Sequence, residues 1–319
     1  MKKVSILVPV YNVERYIEKC AVSLFEQTYE NIEYVFINDC TKDLSIDVLN
    51  DVLKNYPQRF SQVKIISHET NRGVAAARNT GIDNSSGDYL MYVDSDDYIE
   101  KNMVELLVQK AEEDQAEIVV CDFFKSYENR EFHALSFYTA SPKEYLKKLL
   151  IREVESVLWA KLYEASFYKK SGARFIEGID YGEDFLVLLQ LFTAVERISY
   201  KANYLYHYTL SNNASLTKNI TVQSVENIVK INTVICEKFG ESQEFSIYAK
   251  LSILRSKLSL IKQAKPHLYK LIIPLYEELE REFKQYLKIG DRLLIFLERL
   301  RIPFLIYLYC RFGLYMKSK

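Results

Sequence analysis

Three carboxylates, Asp94, Asp96 and Asp97, fall within four positions of the stretch YLMYVDSDDYIE, residues 89 to 100. They follow an apolar run directly, so negative charge collects where a strand buried on both faces is expected to end. Asp94 and Asp96 are two apart, and in an extended chain both side chains point the same way. Like charges that close repel unless a cation or a donor lies between them. Hard carboxylate oxygens suit Mg2+ or Mn2+, with a substrate diphosphate supplying further ligands. One aspartate would serve to cap the helix that YIEKNMVELL predicts, but three exceed that need.

Three further places carry chemistry-bearing residues. Glu183 and Asp184, in YGEDFLVL, precede an apolar helix. Capping and dipole complementarity account for such acids. The chemical reading is a general base, Asp184, aimed at an acceptor hydroxyl and kept ionised by the helix N-terminus. Asp39, in INDCT, closes a second strand. A carboxylate there accepts hydrogen bonds from a ribose hydroxyl or a base N–H, or simply shapes a strand-end turn. In NRGVAAARNTGI, Gly73 suits a positive φ and Ala75–Ala77 allow close helix packing. Arg78, on the first turns of that helix, either reaches a diphosphate or lies on its surface. The four histidines (His68, His133, His207, His267) are too dispersed for a metal motif. His207 either approaches the diphosphate or metal or is a structural histidine, and Trp159 either stacks on a sugar face or fills a core.

The elements that must position these residues alternate by type. Apolar, β-branched runs occur at VSILVPV, IEYVFI, VKIIS, YLMYV and AEIVVC, with helix-period stretches at Val13–Gln27, Leu44–Leu53, Val74–Asp83 and Lys101–Glu113. That alternation predicts an α/β fold, a mainly parallel sheet flanked by helices. In such sheets ligands sit beyond the carboxyl ends of the strands, where Asp39 and Asp94 fall. The turn after the first strand, PVYNVERY, lacks the G-x-G-x-x-G of a dinucleotide site. Residues 122–180 mix short strands, loops and helices, including a Ser-Pro helix start in SPKEYLKKLLI. GEDFLVLLQLFTAV predicts a buried helix and ERISYKANYLYHYTL a strand or hairpin. From Thr221 the chain reads as helical, with boundaries near Gly240, Pro266, Gly290 and Pro303. The expected organisation is a catalytic domain over 1–215 and a helical region over 216–319.

Composition narrows the function class. The chain has 319 residues, 49% of them hydrophobic, and a net charge of -1, so no global field favours nucleic acid. Five scattered cysteines without a CxxC pair argue against a disulfide framework or zinc site and for a reducing, cytoplasmic setting. No segment reaches the ~18 to 20 apolar residues of a spanning helix, and the N-terminal apolar run is too short for a signal peptide. Residues 281 to 319 nevertheless hold nine Lys/Arg against three acids, interleaved with aromatic and aliphatic residues. That pattern predicts peripheral membrane contact; its alternatives are packing on the catalytic domain or a homodimer.

Taken in order, these motifs resemble family 2 glycosyltransferases of the GT-A fold, the inverting type of bacterial surface-polysaccharide synthesis. VSILVPVYN is similar to that family's opening strand, INDCTKDLS to its DDGSTD-type segment and NRGVAAARNTGI to NxGxxxARNxG. VDSDD is similar to the DxD motif, and LWAKLY and GEDFLV to the later W-x-K-L-Y and E-D elements. The match covers roughly residues 1 to 210. The resemblance implies a nucleotide-sugar donor (often a UDP-sugar), a divalent metal and a glycan or lipid-linked glycan acceptor. By position it implies Pro9, Tyr11, Asp39, Asn71 and Arg78 at the nucleotide and Asp94 by the ribose or donor sugar. It also implies Asp96 at the metal, Asp97 as a second candidate ligand, and Asp184 as base. The chain departs from the pattern at Asn38 and Cys40, where the family commonly has an acid and glycine. A non-catalytic nucleotide-sugar-binding protein and a metal-dependent nucleotidyltransferase are the rival readings.

Overall fold

Strand-forming runs and helix-period stretches alternate in the chain as they do in the sequence. The computed structural model describes residues 1–212, 220–300 and 302–317. The chain divides into two units, Met1–Leu146 with Val154–Asn213, and Lys147–Glu153 with Ala214–Lys319. The boundary expected after residue 215 falls outside the described residues.

The first unit is built on one sheet. Strands β1 (Val4–Val10), β2 (Ile32–Asn38), β3 (Val63–Ser67) and β4 (Tyr89–Tyr92) pair in parallel in the order β3-β2-β1-β4. The sheet continues through β8 (Lys161–Glu164), β6 (Ile118–Tyr127), β9 (Ile198–Thr209) and the short β5 (Tyr98–Ile99), with β7 (Arg130–Ala134) on β6. AEIVVC, expected as the next strand of a parallel series, becomes β6. It runs parallel to β9 but antiparallel to β8, which separates it from β4. An apolar run specifies a buried strand but not its neighbour, and that is why the insertion of β8 escapes the pattern.

Helices cover both faces. α1 (Ile17–Phe25), α2 (Ser45–Leu53) and α4 (Met103–Asp114) share one buried cluster with Val4, Ile6 and Val8 of β1. Successive strand residues point to opposite faces, so Leu7 looks the other way, toward α3 (Val74–Asp83). There a Cβ on Gly81 would lie 3.0 Å from Ile37 and 3.5 Å from Leu7. The small residues of α3 thus let it sit tightly on the sheet. α5 (Pro142–Leu150) starts at the predicted Ser-Pro signal, and α6 (Ala165–Ser171) and α7 (Glu183–Ala194) follow. Phe185, Leu186, Val187, Leu188 and Leu189 of α7 are all buried, as its apolar sequence predicts.

The second unit is helical: α8 (Val222–Phe239), α9 (Ser246–Gln263), α10 (Tyr269–Ile272), α11 (Glu277–Phe283), α12 (Ile289–Arg299) and α13 (Pro303–Lys317). Thr221 caps α8 reciprocally with Ser224, which satisfies two of the orphan N–H groups at its start. Between α8 and α9, the Asn232 amide donates to Ser256 Oγ at 2.9 Å.

Candidate active site

β1, β2 and β4 end along one edge of the sheet, and the predicted site residues gather there. Pro9 is half-buried near the end of β1, and Tyr11, just beyond it, is 45% exposed. Asp39 follows β2, and its N–H donates to Val10 O at 3.0 Å, which extends the β1–β2 ladder. Its buried carboxylate is already engaged. Oδ1 meets His68 Nδ1 at 2.7 Å and accepts from Arg72 N–H at 2.8 Å, while Oδ2 accepts from Gly73 N–H at 2.8 Å. Those bonds leave room on Oδ2 for one further donor, since a carboxylate has about four lone-pair sites. Asn71 is exposed, and its amide donates to Asp39 O at 3.3 Å. Cys40 has φ 56, in the left-handed region that favours glycine, which is the residue the resemblance leads one to expect there.

Arg78 is the hub of the site. The sequence leaves it either at a diphosphate or on the helix surface; the side chain is buried and meets three carboxylates. Its Nη1 donates to Glu183 at 2.6 Å and Asp184 at 2.5 Å, and its Nη2 to Asp94 at 3.0 Å. The side chain is 5% exposed. Burial works against its charge, but Asp184, Asp94 and Glu183 outweigh that and hold its pKa above the usual range. The planar fork of a guanidinium suits several carboxylates at once, which an ammonium would not. Its Nε is buried without a hydrogen-bond partner among the described residues.

Glu183 and Asp184 occupy the first turn of α7, whose entry is set by Gly182 at φ 84. Burial, with Asp184 alongside, pushes the Glu183 carboxyl up to about 8. Asp184 is also raised by burial, and Arg78 pulls it back. The sequence assigns the helix N-terminus the task of keeping Asp184 ionised. In the structure the main opposing charge is Arg78, because burial against the acid is stronger than an end-on dipole offsets alone.

The acidic stretch after β4 is a turn rather than an extended segment. Asp97 N–H donates to Asp94 O at 3.0 Å. Tyr206 of β9 explains the bend: its hydroxyl accepts from Asp94 N–H at 3.2 Å and donates to Asp97 Oδ2 at 2.7 Å. Thr209 N–H supplies Asp97 Oδ1 at 2.7 Å. Asp97, named beside Asp96 as a metal ligand, is therefore buried and braces the turn from within. Burial, reinforced by Asp96 and Asp94, pushes its carboxyl well above the usual range. Asp94 and Asp96 remain half-exposed, and the Asn212 amide donates to Asp96 Oδ2 at 2.8 Å. Hard oxygens on these two residues fit Mg2+ or Mn2+ whose coordination a diphosphate completes. Among the described residues no group of three or more acid, histidine or cysteine side chains is placed to hold a metal ion by itself.

The remaining expectations resolve by packing. Trp159 is buried, stacked on Tyr206 with ring centroids 4.7 Å apart, and fills the core. His207 is buried between the rings of Tyr98 and Phe124 at 4.2 and 4.4 Å, and meets Glu100 and Glu131. It is a structural histidine. Three residues play parts that the sequence reading misses. His68 bridges Asp39 and Thr80, Asp180 accepts from Ala75 N–H at 3.1 Å at the start of α3, and Lys161 donates to Val157 O at 2.7 Å. His68 directly follows a strand end, a usable signal, and Lys161 is the lysine of LWAKLY; nothing in the spacing marks Asp180.

Comparisons with known proteins agree with this geometry. The Glycosyl transferase family 2 profile matches residues 5–162. Over 67% of its length the chain is 35% identical to an uncharacterised glycosyltransferase, EpsJ, of Bacillus subtilis, and spans 63% of that protein. It is 36% identical over 65% of its length to the glycosyltransferase GlyA of Streptococcus pneumoniae, and spans 30% of it. In structure it is similar to residues 1–349 of S. aureus TarS, with a TM-score of 0.69 and 19% identity, over 99% of this chain and 92% of that one. The same TarS fragment has been solved in complex with UDP, and matches with a TM-score of 0.64. The GT-A-type fold implied by the motifs is thus the fold observed.

Proposed function

We propose that this chain, which belongs to glycosyl transferase family 2, moves a sugar from a UDP-sugar to an acceptor hydroxyl with inversion at the anomeric carbon. The product is a cell-surface polysaccharide, the acceptor a glycan or lipid-linked glycan, and the place of work the cytoplasmic face of the membrane. The observation that carries this reading is the Arg78 hub. One buried cation gathers Asp94, from the end of β4, and Glu183 and Asp184, from the start of α7, beside half-exposed Asp96.

Asp184 accepts the proton of the acceptor hydroxyl. The freed oxygen bonds to the anomeric carbon from the face opposite the diphosphate. The C–O bond to the diphosphate breaks, and its electron pair leaves with the nucleoside diphosphate. Arg78 positions Asp184 and Asp94 and keeps Asp184 ionised; burial meanwhile makes that carboxylate a stronger base. A divalent cation held by Asp96, with Asp94 adjacent, would supply Lewis-acid relief of the charge on the leaving diphosphate. Asp97, Tyr206 and Thr209 hold the turn that presents Asp96. Pro9, Tyr11, Asp39 and Asn71 form the nucleoside end, with Asp39 both shaping the Arg72–Gly73 turn and accepting one donor from the base. The UDP complex of TarS, whose fold this chain shares, supports a uridine donor.

The test is turnover of a panel of UDP- and GDP-sugars with Mn2+, Mg2+ or EDTA, assaying what is released. Nucleoside diphosphate is the expected product, lost in EDTA. Pyrophosphate release would instead mark a nucleotidyltransferase. Donor-induced thermal stabilisation without turnover under any metal would mark a non-catalytic binder.

A further inference from the structure

Helix α12 carries apolar residues on two opposite sides. Leu294 and Ile295 are buried with Glu298. Ile289, Leu293, Phe296 and Leu300 fall within about 60° of one another on the other side, at roughly 100° per helical residue. They are 84%, 43%, 55% and 45% exposed. Isolated exposed apolar residues are ordinary, whereas a stripe three turns long calls for a partner. α13 returns alongside: Tyr309 OH donates to Gly290 O at 2.9 Å. It brings Phe304 and Leu308, 64% and 46% exposed.

Charge selects the partner. Arg292 and Arg299 follow one edge of the stripe, seven residues apart, and both are exposed. Among the described residues Arg292 donates only to main-chain oxygens of Leu287 and Gln285, and these bonds do not neutralise its charge. The three acids of residues 281–319 are engaged with cations of α9: Glu298 lies 3.2 Å from Lys257, Asp291 pairs with Lys262, and Glu282, on α11, lies 3.6 Å from Lys250. The edge of the stripe that carries Arg292 and Arg299 is therefore basic. A second copy docking about a two-fold axis with its α12 antiparallel would bring those basic edges together and repel. A bilayer with anionic headgroups does the reverse: it takes the stripe to the acyl boundary and leaves the guanidinium groups at phosphate level. No helix among the described residues is long and apolar enough to cross a membrane. We infer, resting on the membrane placement proposed above, that α12 docks flat on an anionic lipid surface through this stripe, with α13 adding to the apolar contact.

The experiment is co-sedimentation of the full chain with vesicles of phosphatidylcholine alone or mixed with phosphatidylglycerol. Binding at least tenfold stronger to the anionic vesicles is expected. Arg292→Gln with Arg299→Gln should weaken it roughly 25-fold, about fivefold per basic residue. Leu293→Ser with Phe296→Ser should weaken it at least tenfold. Both pairs lie on an exposed face, and circular dichroism should show unchanged helix content. Equal binding by all variants, equal binding to both lipids, or no binding by the parent chain overturns the inference. So does a dimer in sedimentation equilibrium that the serine pair dissociates, which would give the stripe to a second copy. Sugar release from donor, followed in the same samples, separates the two readings. Vesicle binding without any turnover would leave the stripe assigned to lipid and remove the transferase reading. Turnover without vesicle binding would do the opposite.

Discussion

At Arg78 a single guanidinium answers three carboxylates, and each of them loses something different if it goes. Arg78→Lys keeps the charge but not the fork. It should lower stability by about 1–3 kcal/mol, less than the ~3–5 of breaking a buried pair outright, and cut turnover at least tenfold. Urea unfolding and kcat read the two effects separately. Asp184→Asn should lower kcat by roughly 10² or more with donor affinity kept, as general-base losses run. The acid limb of the kcat/KM profile should vanish with it, since that limb reports protonation of Asp184. Loss of donor binding in this variant would move Asp184 to the donor site. Asp96→Asn should remove metal-dependent turnover while stability holds or rises slightly, because one of two neighbouring like charges is gone; full activity of the parent chain in EDTA would sink the metal assignment. The types at these positions were legible in the sequence: acids at strand and helix ends, an arginine among small residues. What joins them was not. Arg78 and Glu183 are 105 positions apart, and no local spacing encodes that bond.

Between residue and fold, two backbone positions with positive φ make opposite predictions. Gly73 has φ +88, and a Cβ there would lie 2.4 Å from both carboxylate oxygens of Asp180. Gly73→Ala should therefore cost at least about 1–3 kcal/mol from backbone strain. It should also weaken donor binding, because Asp180 holds the start of α3 and Gly73 N–H holds Asp39. Cys40 has φ 56 with an ordinary side chain. Cys40→Gly relieves about 1–2 kcal/mol of left-handed strain against about 0.5–1 kcal/mol of added unfolded-state entropy. The expected result in chemical denaturation is a neutral to slightly stabilised protein; destabilisation beyond 1 kcal/mol, on the order of the strain itself, would show that the thiol does more than occupy the turn. Elements with a strong period were readable. α3 runs over Val74–Asp83, the predicted bounds, and β1, β2 and β4 occupy their apolar runs. The turn at Asp94 to Asp97 was not, because a hydroxyl from β9, Tyr206, makes it, and alternation along one segment carries no trace of a partner over a hundred residues away.

On the scale of the chain, the two units stand on different kinds of core. The first is layered and apolar, so its interior follows from hydrophobic period and strand length. The second announces its helices through glycine and proline, with α8 ending before Gly240 and α13 beginning at Pro303. It hides what lies among them, since a lysine within a helix normally marks a solvated face. Lys257 is instead fully buried and donates to Ile273 O at 2.6 Å. It meets two carboxylates, Glu280 and Glu298, so one negative charge is in excess. Glu298 lies 3.2 Å from the Lys257 ammonium, and burial, against the pull of Lys257, pushes its carboxyl up to about 7. A carboxyl raised in the folded state binds its proton there while the unfolded chain, near 4.5, has lost it. This contribution therefore makes stability fall as pH rises from about 4.5 to about 7, and the full penalty is present above that. Glu298→Gln keeps the Lys257–Glu280 pair and removes the excess charge. Its gain over the parent chain should be near zero below pH 4.5, grow to about 1–3 kcal/mol by pH 7 and then level off. The difference between the two unfolding curves at each pH isolates this group from every other that titrates in the same window. A variant less stable than the parent chain at pH 8 would mean that Lys257 needs both carboxylates, and that the core of the second unit is a balanced ion cluster.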